Sequence, residues 1–252
     1  MYYIGIDIGS TASKVSVFDD DKLISNIVMP TGWSSVDTSN RIKEELEQKG
    51  IKLDEARVVA TGYGRISVPY ANKTITEITC HGKGAYYLSG NQMMTVIDIG
   101  GQDTKIITVE NGNVTNFLMN DKCAAGTGRF LELMANTLGV PLDEMAQMAL
   151  RGKDINITSM CTVFAESEVI SLIGSGAKRE DIARGVLNSI IGRINTLLSK
   201  QGIKGDIYLT GGLCDLEPFI QLLSEKIGKK VYTSSLARYA GSIGGALLAK
   251  KL

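Results

Sequence analysis

The chain has 252 residues, 27 basic and 27 acidic side chains, and 44% hydrophobic residues, a length that suits one large or two small domains with a self-sufficient core. Zero net charge leaves no broad cationic surface for a phosphate backbone, so nucleic acid is not expected as a partner. Asp7 interrupts the first apolar stretch and no run of about 18 apolar residues occurs, which predicts a cytoplasmic protein without signal peptide or membrane span.

The N-terminal segment predicts a strand, a hairpin turn and a further strand. An apolar run over residues 1–6 leads into the motif D-I-G-x-x-x-x-K at Asp7, and a β-branched segment and a polar turn at 19–21 follow. The same motif returns at Asp98, 91 residues later, and is again followed by a polar turn, at 110–112. The chain therefore contains one supersecondary unit twice.

A helix is predicted after the first hairpin. Asp37 or Thr38 can cap it, and Gly50 is its expected stop. Ile42 and Leu46, four residues apart, lie on its buried face, and the charged residues between them face water.

Helices and short strands alternate over the rest of the chain. The periodicity of apolar residues predicts helices over 77–88, 127–138, 141–150, 161–173, 179–200, 216–227 and 238–250. Short strands are predicted near 57–60, 206–209 and 230–233. This pattern is typical of an α/β protein of two similar halves, each a mixed sheet opened by a hairpin and flanked by helices. We expect the halves at 1–94 and 95–252, with the C-terminal helix as a candidate to pack back on the first half.

Each copy of the repeated motif places an aspartate at the end of a buried strand, before glycine and small polar residues. The carboxylate can hold Mg²⁺ through water, and the turn offers N–H and hydroxyl groups to phosphate oxygens. Two such loops facing each other would grip a polyphosphate from both sides. The chain has no Walker A motif and no G-x-G-x-x-G after a strand, which disfavours the two commoner nucleotide-binding folds.

A third candidate element is the apolar strand that ends in Thr210-Gly211-Gly212. Glycines there allow the backbone to approach a flat ring, as a nucleoside site requires, although they also suit an ordinary turn. Strand, phosphate loop, second phosphate loop and glycine-rich loop, in this order, resemble the ATPase superfamily of actin, sugar kinases and heat-shock chaperones. That resemblance implies ATP in the cleft between the halves and hydrolysis coupled to their closure.

Two of the four cysteines lie at the start of predicted helices. Cys123 precedes the helix at 127–138, and Cys161 begins the helix at 161–173. A helix N-terminus favours the thiolate that ligates metals, although cysteine is also among the most often buried residues. Two thiols are too few for an iron–sulfur cluster, but a symmetric dimer would supply four. His81 is the only histidine, which excludes metal sites with two imidazoles.

Five segments resemble the 2-hydroxyacyl-CoA dehydratase activator family: ATGYGR (60–65), EITCHG (77–82), VIDIGGQDTK (96–105), MNDKCAAGTGRFLE (119–132) and CTVFAESEVISL (161–172). Members of that family are homodimeric, ATP-hydrolysing iron–sulfur electron donors related to subunits of benzoyl-CoA reductase. The resemblance implies that Cys123 and Cys161 of both subunits hold one [4Fe-4S] cluster. Cys80 and Cys214 match no ligand position.

The resemblance also implies the partners. Nucleotide binding and hydrolysis would move the helices that start at Cys123 and Cys161, and one electron would pass to an iron–sulfur acceptor such as a 2-hydroxyacyl-CoA dehydratase. A double-cubane-cluster protein of the same superfamily is an alternative acceptor. An external reductant such as ferredoxin or flavodoxin would reload the dimer. Neither a nucleic acid nor a membrane is expected as a partner.

The resemblance finally implies roles for individual residues. Asp7 and Asp98 would organise Mg²⁺. The phosphate contacts would come from Gly9, Ser10, Thr11, Lys14, Gly100, Gly101, Gln102 and Lys105. Gly126, Gly128 and Glu132 would approach the ribose, and Gly211 and Gly212 the adenine. Gln102, Asp103 and Glu166 are candidates for orienting the attacking water, because hydrolysis of this kind depends mainly on positioning.

Two other functions are compatible with the same fold. A small-molecule kinase, for example of the amino-sugar type, would leave Cys123 and Cys161 without a role, and no base beside an acceptor pocket is identifiable. A chaperone-like or filament-forming module would be a colourless protein whose nucleotide state changes only partner binding. The substitution Cys123→Ser would abolish the cluster of an electron donor and would be harmless in both alternatives.

Overall fold

A computed structural model describes residues 1–120, 127–157 and 161–252. The first sheet comprises β1 (Tyr2–Ile8), β2 (Ala12–Asp19), β3 (Lys22–Pro30), β4 (Ala56–Thr61) and β5 (Lys73–Thr74), in the order β3-β2-β1-β4-β5. The second comprises β6 (Met93–Ile99), β7 (Thr104–Glu110), β8 (Asn113–Asn120), β9 (Asp206–Gly211) and β10 (Val231–Tyr232), in the order β10-β9-β6-β7-β8. In each sheet the central strand is antiparallel to its hairpin neighbour and parallel to the strand on its other side. The prediction of two mixed sheets is confirmed.

The two sheets repeat each other down to their local irregularities. Asp20 and Asn111, the non-glycine residues with positive φ in the described ranges, lie in the two hairpin turns and are 91 residues apart. The register shifts of the two hairpins, after Val17 and after Thr108, have the same spacing. A register shift of this kind bends a strand and increases its twist. The repeat in the sequence is therefore a repeat in the structure.

Helices flank both sheets. They are α1 (Ser35–Gln48), α2 (Glu77–Ser89), α3 (Gly128–Leu138), α4 (Leu142–Arg151), α5 (Thr162–Gly174), α6 (Arg179–Gln201), α7 (Glu217–Ile227) and α8 (Ala240–Ala249). Their bounds agree closely with the predicted ones, except that α8 starts later because Ala237–Tyr239 form a 3₁₀ turn. No helix in the described ranges is long and apolar enough to cross a bilayer.

The start of α1 differs from the prediction. Ser34, rather than Asp37 or Thr38, caps the helix, and its Oγ accepts a hydrogen bond from the Asp37 backbone N–H at 3.1 Å. Thr38 is buried, and its hydroxyl donates to the carbonyl oxygens of Thr31 and Ser34. The predicted cap was wrong because the Thr38 hydroxyl hydrogen-bonds to the loop before the helix instead of to the first N–H groups of the helix. At the other end the helix stops before Gly50, whose φ is 77°, as predicted.

Helices α2 and α8 pack against each other through glycines. A Cβ on Gly84 would overlap the carbonyl of Ala240, and one on Gly244 would overlap the carbonyl of Cys80. Only residues without a side chain allow two helix backbones to come this close. The two helices consequently form one tightly packed pair.

This helix pair contacts both sheets. A Cβ on Gly5 of β1 would overlap the carbonyl of Ser242 in α8, and Ile243 of α8 packs with Phe18 of β2. On the other side, a Cβ on Gly82 of α2 would lie 2.6 Å from a methyl group of Val114 in β8. The last helix of the chain thus lies on the first sheet, and α2 connects that arrangement to the second sheet.

Candidate active site

A cavity of about 290 Å³ lies where the central strands β1 and β6 end. This volume is at the lower end of the range for small-molecule pockets. Its walls include most residues predicted to bind a nucleotide: Asp7, Gly9, Ser10, Thr11, Lys14, Asp98, Gly100, Gly101, Gln102, Lys105, Gly128, Glu132, Gly211 and Gly212. Gly126 and Cys123 lie outside the described residues.

The two aspartates of the repeated motif occupy equivalent positions. Each lies on a central strand, opposite a lysine on the antiparallel neighbour and a threonine on the parallel neighbour. The matched sets are Asp7, Lys14 and Thr61 in the first sheet and Asp98, Lys105 and Thr210 in the second. Two carboxylates are thereby presented to one cavity from opposite halves.

The loops that follow the aspartates touch each other. A Cβ on Gly101 would overlap Thr11 Oγ1 and would lie 3.1 Å from Ser10 Oγ. Glycine at 101 is therefore needed for this approach. The hydroxyl groups of one loop face the backbone of the other, as a site that holds phosphates from both sides requires.

The second loop also holds the start of α3. The backbone N–H of Gly128 donates to the Gly100 carbonyl at 3.0 Å, and that of Arg129 donates to the Gly101 carbonyl at 3.2 Å. These N–H groups would otherwise lack partners at a helix N-terminus. A displacement of this loop would therefore displace α3.

Both parallel strands end in the same glycine turn. Gly62 after β4 has φ 83°, and Gly211 at the end of β9 has φ 90°. A backbone N–H shortly after each glycine donates to the central strand: that of Gly64, two residues on, to the Ile8 carbonyl at 2.9 Å, and that of Gly212, one residue on, to the Ile99 carbonyl at 3.0 Å. Gly211 is thus part of the repeat as well as part of the cavity wall.

His81 lies between the two aspartates. Its Nδ1 is 3.1 Å from Asp98 Oδ1, and its Nε2 is 3.8 Å from Asp7 Oδ2. The ring is buried and lines the cavity, and Thr210 Oγ1 donates to Asp98 Oδ1 at 2.9 Å on the same side. This imidazole, which helix α2 carries, connects the carboxylates of both halves.

These neighbours determine the charges of the three groups. Burial raises the pKa of Asp7 and Asp98, but His81 and the nearby lysines outweigh it, so both carboxyl groups have a pKa below the ordinary value. Burial lowers the pKa of His81, but the charges of Asp98 and Asp7 outweigh it, so its pKa is raised. The carboxylates stay ionised and the imidazole favours its charged form.

The two equivalent lysines have different surroundings. Lys105 Nζ is 2.6 Å from Asp103, 3.4 Å from Asp98 and 3.6 Å from Glu77, and its side chain is 2% exposed. Burial lowers its pKa, but these three carboxylates outweigh it and raise the pKa above the ordinary value. Lys14 is half-buried in the cavity wall and forms no ion pair within the described ranges. Lys14 therefore acts on Asp7 and Asp98 only at longer range, by helping to lower their pKa values.

The three residues predicted to orient water lie in different places. Gln102 and Asp103 line the cavity, and Asp103 is bound to Lys105. Glu166, on α5, is not part of the cavity wall and accepts a hydrogen bond from Thr137 of α3 at 3.4 Å. The last contact links the helices that follow the two cysteine segments.

Sequence reasoning gave no role to four polar residues of the cavity wall, Tyr63, Glu77, His81 and Arg238. Glu77 and His81 are four residues apart, so they share one face of α2. The segment EITCHG, part of the resemblance stated above, contains both and was the available signal. Arg238 pairs with Asp215 from the 3₁₀ turn before α8, and no motif indicated it.

Cys161 occupies the N-cap position of α5 and is exposed. Next to it, α5 exposes Val163 and Phe164, which are 64% and 67% accessible. Within the described ranges, no group of three or more His, Cys, Asp and Glu residues is arranged to hold a metal ion. Cys80 and Cys214 are buried, and burial raises the pKa of each thiol to about 12, which disfavours the thiolate.

Two matched mixed sheets with a cavity between them have the fold shared by actin-like proteins and sugar kinases. A ROK family glucokinase from Streptomyces griseus, 14% identical with a TM-score of 0.61, shares this fold. The family model of the BadF/BadG/BcrA/BcrD ATPases matches residues 4–249, so the chain belongs to that ATPase family.

Several relatives align with the whole length of this chain. The (R)-2-hydroxyglutaryl-CoA dehydratase activating ATPase of Acidaminococcus fermentans is 44% identical over 255 residues, covering 100% of this chain and 98% of the relative. The crystal structure of component A of that organism's (R)-2-hydroxyglutaryl-CoA dehydratase has a TM-score of 0.93 and 43% identity, with coverage of 100% and 98%. The activator of 2-hydroxyisocaproyl-CoA dehydratase from Clostridium difficile, with bound ADPNP, has a TM-score of 0.91 and 35% identity, with coverage of 100% and 95%. The resemblance to dehydratase activators is confirmed.

Proposed function

We propose that this protein is an ATP-hydrolysing, homodimeric one-electron donor that reductively activates a partner iron–sulfur enzyme such as a 2-hydroxyacyl-CoA dehydratase. The observation that carries the proposal is the full-length similarity to dehydratase activators, 44% identical in one case. An acidic cavity between two halves and an exposed cysteine at a helix start support it. The small-molecule kinase alternative gives that cysteine no role.

The residues near Cys161 are compatible with a [4Fe-4S] cluster shared by two subunits. Cys161 is exposed and occupies the N-cap position of α5, so its thiol is accessible to a second copy of the chain. An iron–sulfur cluster is normally held by four cysteine ligands, so two copies of the chain would complete the set. Cys123 and Cys161 of each subunit would supply the four thiolates. When bound, the cluster would accept and donate one electron.

The apolar face of α5 supports the dimer. Val163, Phe164 and Ile170 are more than half exposed on the helix that begins after Cys161. Large apolar side chains exposed together mark interaction sites. A second copy that brings its own Cys161 to the two-fold axis would cover them.

In the cavity, we propose that Asp7 and Asp98 hold Mg²⁺ through water. Both carboxylates stay ionised because their pKa values are lowered, and hard oxygen ligands suit Mg²⁺. The two contacting loops would hold the phosphates through Gly9, Ser10, Thr11, Gly100, Gly101 and Gln102. Gly128 and Glu132 would lie beside the ribose, and Gly211 and Gly212 beside the adenine.

Of the two equivalent lysines, we propose that Lys14 contacts phosphate directly. It lines the cavity without an ion-pair partner in the described ranges, whereas Lys105 already balances Asp98, Asp103 and Glu77. Moving Lys105 onto a phosphate would take this cation away from buried Asp98 and from partly buried Asp103 and Glu77, which is costly. Lys105 would instead hold the second loop and its neighbours in place.

A chain of contacts connects the cavity to both cysteine segments. The second loop binds the first N–H groups of α3, and Thr137 of α3 binds Glu166 of α5. A change of the loop during hydrolysis would move α3, and α3 would move α5. We propose that Glu166 acts in this connection between helices.

Iron and acid-labile sulfide content of the anaerobically purified dimer tests the proposed function. We expect about four irons per dimer, lost in Cys161→Ser and in Cys123→Ser and retained in the matched variant Cys214→Ala. An iron-free dimer that also resists reconstitution would refute the electron-donor proposal. With iron present, ATP-dependent reduction of a purified 2-hydroxyacyl-CoA dehydratase identifies the acceptor class.

A further inference from the structure

The cavity wall contains a carboxylate that the nucleotide assignment does not use. Glu77 is the first residue of α2, lines the cavity and has a side chain that is 27% exposed. Asp7 and Asp98 are assigned to the cation, and Asp103 binds Lys105 at 2.6 Å. Of these four carboxylates, Glu77 is therefore the one with neither an assigned cation nor a short ion pair.

Lys105 fixes the orientation of Glu77 while leaving one of its oxygens available. The ion pair joins Lys105 Nζ to Glu77 Oε2 at 3.6 Å, the longest of the three contacts of this lysine. Among the described residues, Glu77 Oε1 has no hydrogen-bond partner. A partly open carboxylate oxygen in a cavity wall, oriented by a buried cation, is suited to accept a hydrogen bond from water.

Its electrostatic surroundings agree with this geometry. Burial raises the pKa of Glu77 more than Lys105 lowers it, so the pKa of this carboxyl lies above the ordinary value. The pKa values of Asp7 and Asp98 are shifted in the opposite direction. A carboxylate is a more effective general base when its pKa lies closer to the pH at which the enzyme works.

We propose that Glu77 is a further catalytic residue of ATP hydrolysis, which orients the attacking water and accepts its proton, with Lys105 as its positioning residue. The water oxygen forms a bond to the γ-phosphorus, and the bond from that phosphorus to the bridging oxygen breaks. ADP leaves with the electron pair, and the proton of the water passes to the carboxylate and from there to solvent. No further reactant is required.

Glu77 is better placed for this task than the other candidates. Asp103 has its carboxylate bound to Lys105 at 2.6 Å, and Glu166 lies outside the cavity wall on α5. Gln102 lines the cavity but has no basic oxygen, so it can orient water without accepting a proton. Glu77 and Gln102 can therefore act on the same water molecule.

The inference rests on the ATPase part of the proposed function and is independent of the cluster. The test measures steady-state ATP hydrolysis and ADP affinity of Glu77→Gln in the full-length dimer. We expect kcat to fall by about 100-fold or more, the range for loss of a general base, while the dissociation constant of ADP changes by less than about threefold. A role confined to the helix start predicts unchanged kcat.

Glu217 provides the matched control. It is the first residue of α7 as Glu77 is of α2, it is exposed, and it does not line the cavity. We expect Glu217→Gln to keep the wild-type kcat. An equal fall of kcat in both variants, or a fall of kcat in Glu77→Gln matched by a loss of ADP affinity, would overturn the proposal.

A second variant covers a failure of Glu77→Gln to fold. Glu77→Asp keeps the charge beside Lys105 and withdraws the carboxylate by one methylene, so we expect a normal melting temperature with a kcat reduced by about tenfold or more. A wild-type kcat in Glu77→Asp would overturn the proposal. Absence of ATP hydrolysis in the wild-type dimer would instead refute the proposed function itself.

Discussion

His81 is the only histidine of the chain, and it is buried between the aspartates of two sheets. Removing it would leave Asp7 and Asp98 facing each other across the cavity without the intervening cation. Unpaired buried charges of one sign are among the most destabilising arrangements in proteins. The single imidazole therefore helps, together with Lys14 and Lys105, to hold two like charges at one site.

We predict a pH-dependent loss of stability in His81→Gln, measured by urea unfolding without nucleotide and with a chelator. The folded-state pKa of His81 is raised, so its contribution is complete below the unfolded-state value of about 6.5 and disappears as pH rises through the folded-state pKa. The variant should lose about 3 kcal/mol near pH 6, and the difference should shrink as pH rises.

The same prediction has a direct spectroscopic check. One histidine per chain gives one set of imidazole signals in NMR, and their titration midpoint should lie above about 6.5. A midpoint at or below that value, or a stability difference that grows with pH, would contradict the described pairing.

The equivalent lysines should respond differently to substitution. We predict that Lys105→Met lowers the free energy of unfolding by about 3 kcal/mol or more, because three carboxylates lose their buried cation. Lys14→Met should cost clearly less stability than Lys105→Met, because Lys14 acts on Asp7 and Asp98 only at longer range, and should weaken ADP binding at least tenfold. Chemical denaturation and nucleotide titration of both variants separate the two roles; equal effects on stability would contradict them.

At the scale of elements, the glycines between α2 and α8 determine how closely the two helices pack. Neither helix has one clearly apolar face, because both are buried on more than one side. At the contact itself, Gly84 and Gly244 leave no side chain between the two backbones. Neighbouring His81 and Glu77 depend on this contact, since α2 carries both into the cavity. Helix packing and the position of the polar residues are therefore linked.

We predict that Gly244→Ala lowers the free energy of unfolding by about 3 kcal/mol, because its Cβ would overlap the Cys80 carbonyl. Gly192→Ala in α6 is the matched control, since nothing lies within 4 Å of a Cβ there. That variant should be more stable by up to about 1 kcal/mol, the gain in helix propensity. Thermal or urea unfolding measures both, and similar losses in the two variants would contradict the close contact.

At the scale of the whole molecule, the site consists of matching parts of two sheets. Gly101 of one loop touches Ser10 and Thr11 of the other, and α8 returns to the first sheet from the end of the chain. A ligand held by both loops would stabilise both halves at once, because binding to the folded form shifts the unfolding equilibrium.

Hydrogen exchange with and without Mg²⁺-ADP tests whether the loops of both sheets bind the same ligand. We predict slower exchange at 9–12, 100–103 and 211–213 together, with little change in α7, which has no residue in the cavity wall. At a ligand concentration about 100 times the dissociation constant, stabilisation approaches about 2.7 kcal/mol. Slower exchange confined to the loops of one half would contradict a site shared by both.

The sequence by itself determined the repeat, the element order and most of the cavity wall. The motif D-I-G-x-x-x-x-K at Asp7 and Asp98 predicts a strand, a turn and a lysine opposite the aspartate. These features are local to each hairpin, so they do not depend on how the two sheets pack. Periodicity likewise located the helices, because amphipathic faces are a local property of the chain.

Tertiary structure decided what distinguishes equivalent residues. Lys14 and Lys105 occupy the same place in one motif, and only the packing of α2 places Glu77 beside Lys105. His81 meets Asp7 and Asp98 across three segments distant in sequence, and Thr38 loses its predicted capping role to a contact with Thr31. Charge pairing and burial depend on which segments meet in space, and no local pattern records that.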